Sequence, residues 1–441
     1  MVEAILVDFS NFVFHSPNDR TQEWLSNAME IIKAHSKIKC PYVFVFYLER
    51  DTNNINKDIQ SILLNLSEQI PVPKENIDVL VYPSMAAILY NVKQKIDKLN
   101  LSTINVIMPV NKKAMMDVYI NQLFTAVYEF TFERLATRNE GGIKLEASVP
   151  CTKDNNVLTD QHADEICKDI WTFLGQLKGL MGQIAILHSP LIPDVFLHGF
   201  TTRCGGISYI PSLSSLNLFS SFKRRDPKAV INENIRRLAT TAGFNPKIYY
   251  LAKVNHGNTI WTMGRPEPAN YDGIVTNQKG VTIAAPGADC IPLIFADPVQ
   301  IACGAAHAGW RGTLAGVAIA TVNTMMTEFA CSMKDIRVVM GPCVGECCFT
   351  LHQEAAEEFI KIDSSCVRNT DGSKPHVNLR QATRVLLERE GILSENICDV
   401  STFNPSNKGT LCTACQPDMF FSHTRDGQNF GTQIGFISVR D

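Results

Sequence analysis

The stretch CGAAHAGWRGTLAG, residues 303–316, carries an apolar segment into a lone histidine, then a glycine-flanked Trp310–Arg311 pair, then small and helix-forming residues. It reads as a strand, a loop and the start of a helix, the local pattern of an α/β fold. Upstream, Val281–Ala285 and Ile291–Phe295 read as buried strands joined by a hairpin bend at Gly287–Cys290; Ile301–Ala306 is the next strand, after an Asp297–Pro298 turn. Thr313 can cap a helix running to about Phe329, which puts Gly309–Gly312 just before a helix N-terminus. Free N–H groups there, with Arg311 beside them, suit an anion such as phosphate. The competing reading pairs Arg311 with a surface carboxylate. His307 is then either a packed core histidine or a residue facing a metal and an anion.

At 441 residues the chain is too long for a single core, so two domains are expected. A hydrophobic content of 45% makes it globular, and 41 basic against 44 acidic residues, net -3, leave no electrostatic footprint for nucleic acid or an anionic membrane. Small molecules or proteins are the expected partners. Met1–Ala4 lacks the basic start of a signal peptide and Asp8 follows early, while the weakly charged stretch Gly179–Pro193 is broken by His188, Pro190 and Pro193. Fourteen irregularly spaced cysteines then read as reduced thiols of an intracellular, cytoplasmic protein.

The first third alternates strand-like runs (Ala4–Val7, Tyr42–Phe46, Ile77–Val81, Ile104–Met108) with helix-like ones (Gln22–His35, Asn56–Gln69, Ala86–Leu99). That alternation predicts an α/β domain with a parallel sheet over residues 1–180, where no phosphate loop or His, Cys or carboxylate cluster points to chemistry. Asn139–Asp160 reads as a linker or exposed loop and Gln161–Leu177 as a helix. Residues 181–441 form the second, mixed α/β domain, in which every candidate site falls.

Adjacent strands could bring Cys290 to His307, and His256 lies in a second glycine-flanked turn, Lys253–Asn258. Two imidazoles and a thiolate would leave a fourth zinc position open, as a catalytic site requires, although scattered His and Cys residues are more often structural. Asp289, next to Cys290, is a candidate for proton transfer or ligand orientation, with capping of its own bend an equal alternative. Asp272, in Asp272–Gly273, reads as a turn residue, and Trp310 as packing or as a base-stacking platform.

From about residue 195 the chain resembles the YfiH family, once described as laccase-like polyphenol oxidases, and over its whole length it is similar to that family's two-domain vertebrate members. The resemblance rests on His198–Ser208, Ser215–Leu218, His256–Gly257, Asp272–Thr276, Gly287–Pro292, Ala306–Gly312 and Phe420–Gly427, in order over more than half the chain. It implies a YfiH-type catalytic domain with one zinc per chain on His256, Cys290 and His307. It also implies phosphorolysis of purine nucleosides (adenosine, inosine, guanosine, methylthioadenosine) to free base and ribose 1-phosphate, with phosphate as co-substrate, together with adenosine deamination. Arg203 and Arg311, with Gly312 and Thr313 at the helix start, could form the anion site; Arg425 is a further substrate-side contact. A copper oxidase needs about ten histidines in paired His-x-His motifs. This chain has ten in all, no two separated by a single residue, so the laccase label fails on ligand count.

The chain departs from the family pattern at Val254, where relatives commonly carry Gln, at Asn378–Leu379 and at Thr424–Arg425. Cys343, Cys347, Cys348, Cys412 and Cys415 suffice on paper for a structural zinc, yet a single C-x-x-C favours reduced thiols lining the active-site side. His198 and His423 read as structural. Two further readings remain: a zinc hydrolase of another C–N bond, and a regulatory scaffold with a residual metal site whose N-terminal domain recruits protein partners.

Overall fold

A computed structural model describes residues 2–10, 19–38, 40–49, 70–135, 160–368, 374–400 and 411–441. The chain divides into two compact units, Met1–Leu177 with Ser220–Val230, and Lys178–Phe219 with Ile231–Asp441. Ser220–Val230, expected in the second domain, belongs with the first: Arg225 donates to Asp97 at 2.7 Å and to the Leu101 carbonyl at 3.0 Å, its guanidinium lying over the Tyr128 ring.

In the first unit, β1 (Ala4–Asp8), β2 (Tyr42–Leu48), β3 (Ile77–Tyr82), β4 (Thr103–Pro109) and β5 (Glu129–Leu135) form an all-parallel sheet of order β3-β2-β1-β4-β5. Around it run α1 (Asp19–Ser36), α2 (Met85–Lys98), α3 (Lys113–Leu123) and α4 (Asp160–Gln176). The central β1 is buried at all five positions, as a parallel sheet covered on both faces requires. The edge strand β5 has no counterpart among the sequence expectations, although Phe130 and Phe132 alternate with polar residues in a period of two. The helix expected over Asn56–Gln69 and the loop over 139–159 lie outside the described residues.

The second unit contains β6 (Ile186–Leu187), β7 (Phe196–Thr201), β8 (Tyr249–Leu251), β9 (Ile260–Thr262), β10 (Gly273–Thr276), β11 (Thr282–Gly287) and β12 (Ile291–Asp297). It continues with β13 (Ala302–Ala308), β14 (Arg337–Met340), the short pair β15 (Val367–Arg368) and β16 (His376–Val377), then β17 (Ile397–Asp399) and β18 (Gln433–Val439). Its helices are α5 (Lys228–Ala242, entering from the first unit), α6 (Trp310–Leu314), α7 (Val317–Phe329), α8 (Gln353–Ile362), α9 (Leu379–Arg389) and α10 (His423–Asp426).

A six-stranded sheet of order β17-β14-β12-β13-β10-β9 packs against a five-stranded one of order β6-β7-β18-β11-β8. Alternation along β12 shows the layering: Leu293 and Phe295 join the core that includes Val317, Val322 and Met325 of α7, while Ile294 and Ala296 join Phe200, Ile283 and Ile437 between the sheets.

Two local expectations are corrected. Gly287–Cys290 is not a hairpin turn, because β11 pairs with β8 and β18 in one sheet whereas β12 pairs with β13 and β14 in the other. Thr313 does not cap the long helix: it lies inside the five-residue α6, and α7 starts only after Gly316, whose φ of 78° breaks the helical path.

Phe200 is fully buried between the two sheets. Phe200→Ala is expected to lower stability by about 3–5 kcal/mol, read as a fall in the urea midpoint with unchanged slope.

Candidate metal centre

The pairing of β12 with β13 sets Ile291 opposite Ala308 and Pro292 opposite His307, which carries Cys290 to the end of β13. The pairing of β10 with β13 sets Gly273 opposite Ala306, so Asp272 reaches His307, whose backbone N–H donates to the Asp272 carbonyl at 2.7 Å. His256 enters from the loop after β8 in a left-handed conformation, φ 65°. Three non-adjacent segments thus converge, and the ligating atoms of His256, Cys290 and His307 lie within 4.8 Å of one another.

Asp272 is the residue that sequence reasoning undervalued. It is fully buried, and its carboxylate accepts the backbone N–H groups of Asn255 (3.2 Å), His256 (3.0 Å) and Gly257 (2.9 Å), besides meeting His307 Nδ1 at 3.0 Å. A carboxylate only accepts, so His307 carries its proton on Nδ1 and turns Nε2 to the other ligands. Burial alone would raise the Asp272 carboxyl, yet the His307 contact and the amides of Gly257 and Asn255 outweigh it and hold the group below the usual carboxylate range. Burial likewise disfavours the Cys290 thiolate, but the charge of His307 and hydrogen bonds from both imidazoles bring its pKa down to about 6. His307 moves the opposite way: burial lowers its pKa, and Cys290 and Asp272 together raise it to about 9. Cys290 is therefore a thiolate at neutral pH, the form that binds metal.

The donor set fits zinc: a thiolate, two imidazoles and an oriented second layer. A Cβ on Gly309 would stand 3.0 Å from Cys290 Sγ and 3.3 Å from His256 Cδ2, so only glycine leaves the space between the ligands open.

The structure distributes the remaining sequence candidates differently. Arg203 is buried, and its guanidinium donates to the carbonyls of Ser214 (2.6 Å), Pro417 (2.7 Å) and Pro211 (2.7 Å) while lying over the Phe421 ring. Arg425 donates to the Thr413 and Phe420 carbonyls at 2.9 and 3.0 Å and pairs with Asp426. Both act as braces of the chain, because backbone carbonyls take up the donors an anion would use. Arg311 is exposed, stacks on Trp310 with its guanidinium 4.7 Å from the ring centroid, and has no ion-pair partner among the described residues. Trp310 itself packs against the α7 core.

Thr313 donates its amide to the Gly309 carbonyl at 2.8 Å, and its buried hydroxyl has no hydrogen-bond partner among the described residues; Gly312 is buried, with Gly257 as its close neighbour. Asp289 holds neither its own bend nor a metal ligand. Its oxygens accept from the Thr413 hydroxyl and the Thr424 amide, both at 2.6 Å, tying the Cys290 bend to the C-terminal segment. His198 accepts from the Ser189 amide at 3.0 Å, and burial beside His188 lowers its pKa to about 4, a structural role as expected. The first unit, from which no chemistry was expected, buries Asp8, Ser10 and Lys112 together at the C-terminal ends of β1 and β4.

The family model described as "Multi-copper polyphenol oxidoreductase laccase" matches residues 197–440. The chain belongs to this family. It is 50% identical over 446 residues, all of both chains, to a human protein named purine nucleoside phosphorylase LACC1. A protein from an unknown prokaryotic organism, named adenosine deaminase RL5, is 33% identical over 164 residues, 36% of this chain and 59% of its own. Among solved structures, a Bacillus licheniformis YfiH protein aligns with a TM-score of 0.52 at 26% identity, covering 59% of this chain and 99% of that one. The family's copper-oxidase description thus stands against the phosphorylase and deaminase names of its members. Neither metal-competent group among the described residues, His256–Cys290–His307 or the four cysteines, is the histidine-rich set that a multi-copper oxidase needs.

Gly309→Ala is expected to fold but to bind a divalent metal at least tenfold more weakly by chelator competition, because the new methyl group enters the space between Cys290 and His256.

Proposed function

We propose that this chain is a zinc-dependent purine nucleoside phosphorylase with adenosine deaminase activity. It would act on adenosine, inosine, guanosine and methylthioadenosine with phosphate to give free base and pentose 1-phosphate. The observation that carries the reading is the convergent His256–Cys290–His307 triad, in a chain half identical to a named purine nucleoside phosphorylase; Arg311, exposed and without an ion-pair partner among the described residues, follows the Gly309 that borders the triad by two positions.

His256, Cys290 and His307 would hold the zinc, with Asp272 fixing the tautomer of His307. A zinc ion bound there supplies a Lewis acid with an open coordination position. In phosphorolysis a phosphate oxygen forms a bond to the anomeric carbon as the C–N bond breaks, and the electron pair leaves with the base. Arg311 meets what that step needs from the chain: its guanidinium is free to neutralise and place the phosphate. Its stacking on Trp310 limits the conformations it must give up. Arg203 and Arg425 contribute by holding the Pro417–Phe421 segment in place rather than by touching the anion.

The deaminase reading draws on the relative named adenosine deaminase RL5 and on the same three ligands. Deamination exchanges the C6 amino group for a water oxygen and releases ammonia, so it proceeds without phosphate. The free state of every described cysteine supports a reducing, intracellular setting, and no described helix is long and apolar enough to cross a membrane.

The test is incubation of metal-analysed protein with adenosine, with and without phosphate, following adenine, ribose 1-phosphate and inosine by chromatography. Phosphate-dependent adenine that disappears in His307→Ala, and inosine formed in either buffer, are expected; no nucleoside turnover by zinc-loaded protein would overturn the reading. Arg311→Ala is expected to raise the KM for phosphate about 10–100-fold, the loss of one charge-assisted contact of ~1.5–3 kcal/mol, while leaving inosine formation unchanged.

A further inference from the structure

Four of the five cysteines that the sequence suggested as reduced thiols come together at one point. The sulfurs of Cys347, Cys348, Cys412 and Cys415 all lie within 4.8 Å of one another, with Cys415 at 3.3 Å from Cys348 and 3.7 Å from Cys347. Four ligands at ~2.3 Å in a tetrahedron stand about 3.8 Å apart, so the spacing is already that of a metal-thiolate centre. We propose that these four cysteines bind a second zinc ion, a structural centre distinct from the His256–Cys290–His307 site.

Each half of the cluster sits on a tight turn. In the first, the Cys348 and Phe349 amides both donate to the Gly345 carbonyl at 3.0 Å; in the second, the Cys415 and Gln416 amides donate to the Cys412 carbonyl at 3.2 and 3.1 Å. A two-residue bridge joins the halves at Cys343 and Cys412, and the Thr413 amide donates to the Cys343 carbonyl at 3.1 Å. Gly345 is at the junction: its amide donates to Cys412 Sγ at 3.2 Å, and a Cβ there would stand 3.1 Å from Cys347 Sγ. An amide directed at sulfur favours the thiolate.

Two pairwise disulfides would account for the number of sulfurs but not for their arrangement. A disulfide needs each sulfur close to one partner at ~2.05 Å, whereas here Cys415 is near two partners at once and all four described thiols are free. The buried Arg380, which donates to the carbonyls of both Cys343 and Leu411, places a positive charge beside the cluster and offsets part of the negative charge of four thiolates around a divalent cation. Cys347 and Cys415 are exposed, which gives the ion a path from solvent, while Cys412 anchors the inner side.

The centre would do more than staple two turns. Thr413, next to Cys412, donates its hydroxyl to Asp289, and the Val344 amide donates to the Asp289 carbonyl at 3.1 Å. The thiolate cluster therefore fastens both segments that hold the Cys290 bend of the first site.

The experiment is metal analysis of the purified full-length chain, followed by exchange of zinc for cobalt(II). About two zinc ions per chain are expected, falling to about one in Cys415→Ser and in Cys347→Ala, and to about one in His307→Ala by loss of the other ion. The cobalt form should show strong sulfur-to-metal charge transfer that survives Cys290→Ser, a reading that stands even if the cluster variants fail to fold. One zinc per chain with charge transfer abolished by Cys290→Ser would overturn the proposal. So would iron in place of zinc at the cysteines, or disulfides found among these four residues when free thiols are alkylated without reductant.

Discussion

Asp272 is the hinge of this structure. One fully buried carboxylate gathers three consecutive backbone amides, of Asn255, His256 and Gly257, and one imidazole, of His307. The amides bend the loop after β8 until His256 stands beside His307, and the imidazole contact decides which nitrogen of His307 is available. Hydrogen bonds to a buried charge contribute ~1.5–3 kcal/mol each, and an unpaired buried donor costs ~1–3 kcal/mol. The position therefore tolerates neither a neutral nor a shorter side chain without loosening two ligands at once.

The six-stranded sheet supplies what Asp272 cannot. Antiparallel pairing of β12 with β13 brings Cys290 to His307 from one side, and pairing of β10 with β13 brings Asp272 from the other. The extended pairing along β13, buried at all seven positions, gives the site a rigid floor. The C-terminal segment closes the back through Asp289, Thr413 and Thr424. The candidate metal centre rests on long-range pairings rather than on any continuous motif, which is why its three residues are dispersed over 52 positions, from 256 to 307, counting both ends.

Much of the scaffold was legible in the sequence because period and composition are local signals. The apolar runs of β1, β2, β3, β4, β12 and β13 are each recognisable, and their ends shift by only a few residues. What failed was what local signals do not carry. The apolar runs of β11 and β12 look like a hairpin, but they belong to different sheets, and pairing partners are not written in a strand's own residues. Asp272 looks like a turn residue because Asp-Gly is a common turn dipeptide. Arg203 and Arg425 look like anion ligands because an arginine's charge is visible in sequence, while the backbone carbonyls that capture it are not. The convergence of His256, Cys290 and His307 into one metal-competent group was suggested by the ordered series of family motifs, and spacing alone left it open. The five cysteines were visible as a possible metal set, but their convergence was not, because the two halves lie far apart along the chain and meet through the bridge at Cys343 and Cys412.

The most direct test of this account is the zinc affinity of Asp272→Asn, measured by competition with a chromophoric chelator on protein whose fold is verified by circular dichroism. Asparagine keeps the size of the side chain but directs an N–H₂ group at donors that need an acceptor. Affinity at the His256–Cys290–His307 site is expected to fall about 10–100-fold. An affinity unchanged from the parent, in a correctly folded variant, would contradict it and leave Asp272 as the turn residue its sequence suggests.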